Sequence, residues 1–193
     1  MPSLENSFKE LQQRLRDVSA LGTTGRNTGG DPVYYLVFPP HDMLRVKRRL
    51  KVWKSQLKLD GWDLEVLSLA AVIGEHFARH PLRPFWLSGE QADPDLAQAN
   101  ATLRAALVDS RIVEEQVLDA LARIADRPKG LLIIADIEAI HPYLRIGAIE
   151  QRLQGKVSTP TVILYPGQRC GQSLSFLGIY PDDGNYRSVH IGG

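Results

Sequence analysis

The stretch from Gly130 to Gly171 constrains the possible folds of this chain most strongly. It contains two short apolar runs, Leu131–Ala135 and Thr161–Leu164, in which apolar and polar residues do not alternate. Such runs are typical of strands that are buried on both faces of a sheet. Between them, four apolar residues recur at roughly helical spacing: Leu144, Ile146, Ile149 and Leu153. We expect Pro142 at the first helical position and Gly155 just after the last. Strand, helix and strand predict a βαβ unit with parallel strands.

The composition fits an ordinary globular protein. The chain has 193 residues, 44% of them hydrophobic and 23% charged, with a formal net charge of +1. These values predict a single domain spanning 1–193, and they do not indicate a general nucleic-acid binder. The single cysteine, Cys170, excludes an internal disulfide, and the N-terminus lacks a secretory signal pattern. No apolar run approaches the roughly 18 residues of a membrane span. We therefore expect a cytoplasmic protein without membrane contact.

The segments before the central unit also have readable patterns. Residues 1–20 predict an amphipathic helix capped by Ser3, and Val33–Phe38 is rich in aromatic and β-branched residues, as strands are. A helix capped by Asp42 should then run to about Asp60. Its predicted inward residues are Leu44, Leu50, Trp53 and Leu57. A strand over Leu64–Leu69 and a helix over Ala70–Arg79 follow. The pattern predicts a parallel βαβ core over 33–171.

Two further regions complete the predicted fold. Residues 81–126 are expected to be a mainly helical insertion, with an irregular stretch over 81–94 and helices over Leu96–Leu107 and Ile112–Ala125. After the central unit, Ser173–Gly178 and Tyr186–Ile191 alternate in polarity, and Pro181–Asn185 between them has turn-forming residues. They predict a C-terminal β-hairpin within 172–193. The expected fold class is α/β, a mainly parallel sheet flanked by helices, with a C-terminal antiparallel β-hairpin.

Candidate catalytic and metal-binding residues follow the first buried strand. Asp136, Glu138 and His141 lie where the carboxyl end of a parallel strand would place a ligand site, and their side chains are common metal ligands. A carboxylate after a buried strand also resembles the magnesium-binding aspartate of P-loop proteins. However, the glycine-rich segment 22–31 lacks the P-loop pattern and precedes a strand. We favour structural roles for the three residues, and we expect no metal and no cofactor.

Another candidate, the loop around Arg169 and Cys170, offers a basic residue beside a thiol but no local histidine partner. The sequence also contains no G-x-S-x-G, HExxH or CxxC motif. No catalytic residue is predicted.

The helix that follows the first strand carries the densest charge cluster. It contains Lys47 together with six other cations: Arg45, Arg48, Arg49, Lys51, Lys54 and Lys58. A solvated face is one interpretation, and a docking surface for nucleic acid or for an acidic protein is the other. The adjacent aromatics Phe85 and Trp86 are either a lid on the core or an interface anchor.

The C-terminal half resembles a known family. The segments HPYLRIGAIEQRLQG, PTVILYPGQRCGQSLSFLG and YRSVHI are similar to the C-terminal signature of the BrxB family, a component of the BREX defence system against bacteriophage. A looser similarity extends upstream through SFKELQQRL, VYYLVFPPHD and LKLDGW, while 81–110 is the least similar region.

The resemblance implies a function without supplying catalytic residues. It implies a small subunit that binds other BREX subunits, most of all the alkaline-phosphatase-like protein of the PglZ type, and that supports host DNA methylation and phage exclusion. Together with the missing catalytic motifs, it favours a non-catalytic role. The alternatives left open are a degenerate nucleotide-binding domain, a metal-dependent hydrolase or nuclease using Asp136, Glu138 and His141, and direct DNA contact through the basic helix.

Overall fold

A mainly parallel β-sheet forms the centre of the computed structural model, which describes residues 3–20, 31–92, 95–171, 173–183 and 188–193. The strands are β1 (Val33–Phe38), β2 (Asp63–Ser68), β3 (Gly130–Ala135), β4 (Thr161–Cys170), β5 (Ser173–Phe176), β6 (Tyr180–Asp183) and β7 (Val189–Gly192). The parallel strands lie in the order β2-β3-β4-β1-β7, and β5 and β6 branch from β4.

The pairing of β3 with β4 confirms the predicted βαβ unit. The two strands are parallel, with Leu132 opposite Thr161 and Ile134 opposite Ile163. Their residues are buried on both faces, as the absence of alternation predicts. β1 pairs with the other side of β4 in parallel register, from Val33 opposite Thr161 onward.

Helices cover both faces of the sheet. They are α1 (Leu4–Ala20), α2 (Met43–Leu59), α3 (Leu69–Arg79), α4 (Arg83–Ala92), α5 (Leu96–Ser110), α6 (Ile112–Ile124) and α7 (Ile146–Leu153). α1 and α2 pack on one face with Tyr34, Leu36 and Phe38 of β1. α3, α6 and α7 pack on the other face with Val33, Tyr35 and Val37. The strand period of two therefore divides β1 between two cores.

α1 forms as its apolar stripe predicts. Its residues Leu4, Phe8, Leu11 and Leu15 are all buried. The hydroxyl of Ser3 accepts a hydrogen bond from the backbone N–H of Asn6 at 3.3 Å, which confirms the predicted cap. Phe8 meets Trp53 of α2 edge to face, with ring centroids 5.3 Å apart. This contact fixes α1 against α2.

The start of α2 differs from the prediction. A 3₁₀ turn over Pro40–Asp42 precedes the helix, and the Asp42 side chain makes no capping hydrogen bond. Leu44, predicted to face inward, is 69% exposed, and Val46 is buried instead. Val46, Trp53 and Leu57 define the inward face, and Leu44 lies two residues from Val46, on the opposite side of the helix.

Two local predictions were wrong. The stretch 81–94, expected to be irregular, contains α4, because Pro84 lies in the first turn of a helix, where its missing N–H costs little. Conversely, Pro142 is not in a helix. The chain makes a 3₁₀ turn over Ile137–Ile140, and α7 begins only at Ile146. Leu144 lies in the turn before α7 and is buried there. A buried residue at this position gives the sequence the spacing of a helix although the turn is not helical.

The C-terminal antiparallel hairpin is present, but its strands differ from those predicted. β5 pairs antiparallel with the second half of β4 and with β6, so that part of the predicted turn over Pro181–Asn185 is strand. Residues 184–187 lie outside the described residues. β7 joins the far edge of the sheet, parallel to β1, with Ile191 opposite Leu36. Pairing there covers the edge of β1, which is buried on both faces.

Candidate functional site

A cleft opens where the parallel strands end. β1, β2, β3 and β4 run in the same direction, so their carboxyl ends meet at one edge of the sheet, where α/β proteins usually bind ligands. The cleft has a volume of about 190 Å³. Its apolar lining is Phe38, Met43, Val46, Leu50, Val66, Ala135 and Leu164. Its polar lining is Lys47, Ser68, Asp136 and Glu138.

Asp136 is the centre of the polar lining. Its backbone is left-handed, with φ of 58°, a conformation that aspartate tolerates better than most residues. The Ser68 hydroxyl donates to one carboxylate oxygen at 2.6 Å, and the Lys47 ammonium contacts the other at 2.7 Å. Burial raises the pKa of Asp136, but the hydrogen bonds from Lys47 and Ser68 and the positive charge of Lys47 together outweigh it, so the pKa is lowered overall. Asp136 is therefore held in its ionised form.

Lys47 binds a second carboxylate at the same time. Its Nζ atom lies 2.9 Å from Oε1 of Glu138, on the 3₁₀ turn after β3. The hydrogen bonds to Asp136 and Glu138 raise the pKa of Lys47, so the ammonium stays charged. The position between the two carboxylates, where a cation would bind, is thus occupied by a side chain of the protein itself. Ser68 also caps α3 by accepting from the Ala71 N–H at 3.3 Å.

His141 does not join these carboxylates. Its ring stacks on Phe176 of β5, with centroids 3.9 Å apart, and also contacts Tyr180. Its Nε2 atom is buried without a hydrogen-bond partner. Burial, helped by the nearby Arg145, lowers its pKa to about 4. Among the described residues, no cluster of three or more His, Cys, Asp or Glu side chains could hold a metal ion.

The role of Lys47 was missed by sequence reasoning, which counted it with the other cations of its helix. The order of the elements along the chain could have revealed this role of Lys47. α2 follows β1, so its first turns lie over the carboxyl edge of the sheet, beside the end of β3. A lysine in its second turn is within reach of carboxylates that follow β3.

The remaining cations of α2 separate into two groups. Arg49 turns toward α1, where it pairs with Glu5 at 2.7 Å and lies over the ring of Phe8. The others extend from the outer surface of the helix: Arg45, Arg48, Lys51 and Lys58 are exposed and Lys54 is partly exposed. Arg45 has a long contact of 3.8 Å with Asp42. Within the part of the chain that the structure describes, the others have no carboxylate within salt-bridge distance.

Exposed apolar residues lie among these cations. Leu44 is 69% exposed, Val52 is 50% exposed and Leu59 is 88% exposed. α2 contains no acidic residue over its whole length. We call this surface the outer face of α2, defined by Leu44, Arg45, Arg48, Lys51, Val52, Lys58 and Leu59. It combines cations that have no acidic partner within α2 with apolar side chains that remain exposed.

The other sequence candidates do not converge. Trp86 stacks on His80, with ring centroids 4.3 Å apart, and also meets Phe77, whereas its neighbour Phe85 is 74% exposed. The Arg169 guanidinium donates to the carbonyl of Gly171 at 3.0 Å. The side chain of Cys170 lies outside the described residues.

Together these features define a class. The protein has a three-layered α/β fold, a mainly apolar cleft whose two carboxylates are paired with its own lysine, and a second helix with a cationic and apolar outer face. Residues 90–191 match the model of the family described as BREX protein BrxB. The match covers just over half of the chain, and the chain belongs to the BrxB family. This membership points to a component of a BREX phage-defence system.

The other comparisons gave no further relatives. Neither the curated proteins nor the solved structures include a match to this chain. None of the helices in the described ranges is both long and apolar enough to cross a bilayer.

Proposed function

We propose that this protein is a non-catalytic assembly subunit of a BREX complex, which acts by binding another BREX subunit. The observation that carries the proposal is the outer face of α2. It presents Arg48, Lys51 and Lys58 without acidic partners on the same helix, beside apolar side chains that remain in solvent. An exposed apolar patch among charged residues is typical of a protein interface.

The contacts inside the cleft argue against catalysis there, and they favour a protein that acts by binding. A general acid or base acts when its proton can move near the pH of the reaction, and a metal site needs carboxylates that are free to bind the ion. Asp136 and Glu138 are instead engaged by the Lys47 ammonium, and the Ser68 hydroxyl donates a hydrogen bond to Asp136. The cleft residues therefore stabilise the edge of the sheet and the start of α3.

The PglZ-type subunit is the first partner to test, and the expected consequence of binding is support of host DNA methylation and phage exclusion. Family membership motivates the search among BREX subunits, and the charge of α2 favours a partner with an acidic surface.

The test is co-purification from cells that express the whole defence operon. Wild type is compared with Arg48→Glu/Lys51→Glu and with the control Arg104→Glu/Lys156→Glu. Both variants change the net charge equally, and the control positions are exposed residues on or beside elements of the opposite face of the sheet. The α2 variant should lose the partner and the control should retain it. A wild-type protein that purifies alone would contradict the proposal, as would equal retention by both variants.

Direct DNA contact is the competing use of the same helix. Phosphate binding would employ the cations but would leave Leu44, Val52 and Leu59 without a role, because a phosphate backbone offers them no apolar surface. If DNA is the partner, binding of a duplex should weaken steeply with salt. We expect no such affinity at physiological ionic strength.

A nucleotide-binding or metal-dependent activity is the second candidate, and the position of the cleft at the carboxyl edge of the sheet favours testing it. Ligand binding to the native state would raise the melting temperature. We expect ATP or GTP with magnesium to leave the melting temperature of the wild type unchanged. We also expect any nuclease activity in a preparation to be the same for Asp136→Asn.

A further inference from the structure

The apolar residues on the outer face of α2 form a line along the helix. Leu44, Val52 and Leu59 are separated by eight and seven residues, and Arg48 and Ser55 occupy the intervening turns. At about 100° per residue, these five positions fall within an arc of about 80°. Successive contacts at such spacing are those that a second helix makes when it packs along the first. The line is about 22 Å long, at about 1.5 Å per residue.

Positive charges flank this line on both sides. Lys51 and Lys58 lie toward one side, and Arg45 lies toward the other. All three are exposed. A partner helix packed on the apolar line would therefore have cations along both of its borders, in the positions that decide charge pairing between packed helices. A basic or neutral helix would gain little there, whereas an acidic helix would pair along its whole length.

We propose that the element bound by the outer face of α2 is an acidic amphipathic helix of another BREX subunit. This inference rests on the proposed function and adds the chemistry of the partner to it. The partner helix carries apolar residues three or four positions apart, which cover Leu44, Val52 and Leu59. Asp or Glu residues border that apolar stripe and pair with Arg45, Lys51 and Lys58. It needs about 15 residues to span the line.

The inner side of α2 makes this arrangement feasible without any rearrangement of the fold. Val46, Trp53 and Leu57 hold the helix on the sheet, and Lys47 holds its second turn on Asp136 and Glu138. The outer face is therefore presented on a fixed helix, and binding does not require the ordering of a mobile segment.

Photo-crosslinking inside the assembled complex tests the inference. A benzophenone amino acid replaces Val52 in the full-length chain, and a control protein carries it at Arg104, which is exposed on α5. Each protein is co-expressed with the other BREX subunits of its operon, irradiated and analysed by mass spectrometry. The expected crosslink from position 52 falls in a helical segment that is apolar on one stripe and rich in Asp and Glu on its borders.

Each result is decisive. A crosslink from position 52 to a strand, a loop, a basic helix or nucleic acid would overturn the inference. A complex that forms without a crosslink from position 52 would overturn it while leaving the proposed function intact. Failure to co-purify any BREX subunit would overturn the proposed function itself, and the inference with it.

Surface variants provide a second measurement. Leu44→Ser/Leu59→Ser changes two solvent-exposed side chains, so the fold should be unaffected. If these residues lie in the interface, the variant should bind the subunit about 30-fold more weakly, the loss typical of removing two apolar contacts. An affinity within twofold of wild type would contradict a helix packed along this line.

Discussion

The strongest prediction about the fold concerns His141 and pH. Its ring is packed on Phe176 and Tyr180, and its pKa is lowered to about 4 from the ordinary value of 6.5. Between these values the unfolded chain binds a proton at this position and the folded chain does not. The free energy of unfolding must therefore fall as pH decreases from 6.5 toward 4, and this contribution becomes constant below 4.

His141→Phe should remove that dependence. Phenylalanine keeps an aromatic ring on Phe176 and removes the buried Nε2 atom that has no hydrogen-bond partner. At about 1.4 kcal/mol per pKa unit, the full displacement would be worth about 3 kcal/mol. His141 is partly exposed, so we expect about 2 kcal/mol after solvent screening.

Urea denaturation of both proteins measures the effect. The variant should be at least as stable as wild type at pH 7.5, and its advantage should grow by about 2 kcal/mol at pH 4.5. Other titrating groups are common to both proteins, so the difference isolates His141. Equal losses of stability in the two proteins between these pH values would refute the assigned environment of the ring.

Three further predictions concern stability. Asp136→Asn should cost about 1 kcal/mol at pH 7 and Asp136→Ala about 2 kcal/mol, because alanine also tolerates the left-handed backbone poorly. Because the pKa of Asp136 is lowered from 3.8 in the folded chain, the cost of Asp136→Asn should shrink as pH falls below 3.8 and should be lost once the pH has fallen through that lowered pKa; urea titrations at pH 7 and at a series of pH values below 3.8 check this. Gly192→Ala should release β7 and increase amide exchange over 188–193, since a Cβ atom there would lie 2.4 Å from the Val37 carbonyl oxygen at a φ of +83°; unchanged exchange would contradict the pairing of β7 with β1. Leu11→Ala should cost about 3 kcal/mol in chemical denaturation, whereas the control Leu59→Ala should change stability by less than about 0.5 kcal/mol, because Leu11 is fully buried and Leu59 is exposed.

The sequence predicts the elements whose signal is local. The central strands are uninterrupted apolar runs because both of their faces are covered, and α1 has one buried stripe because only one of its faces packs. Both patterns can be recognised from residues that are close together in the sequence, and both predictions are confirmed. The parallel pairing of β3 with β4 follows from the helix between them.

The pairing of the last strand depends on distant residues. Alternation in 186–191 is equally compatible with a hairpin and with addition to an open edge of the sheet. The choice is made by β1, which is buried on both faces and whose edge would otherwise be left unpaired. No local property of the C-terminal segment contains that information.

The candidate site, like the fold, is predictable from the sequence only in part. The carboxylates after β3 are visible in the sequence, and the edge of the sheet on which they lie is correctly predicted. The position of His141 is not, because a 3₁₀ turn after Asp136 carries it toward Phe176 on the other side of the sheet. The ion pair with Lys47 depends on how α2 crosses the sheet, which spacing alone does not determine.

Amide hydrogen exchange of this protein with and without the PglZ-type subunit shows whether α2 is the docking element. If α2 is the docking element, slower exchange on mixing should concentrate in 43–59 and should be absent from α2 of Arg48→Glu/Lys51→Glu. Slower exchange confined to α4 and α5, with α2 unchanged in the wild-type complex, would contradict it.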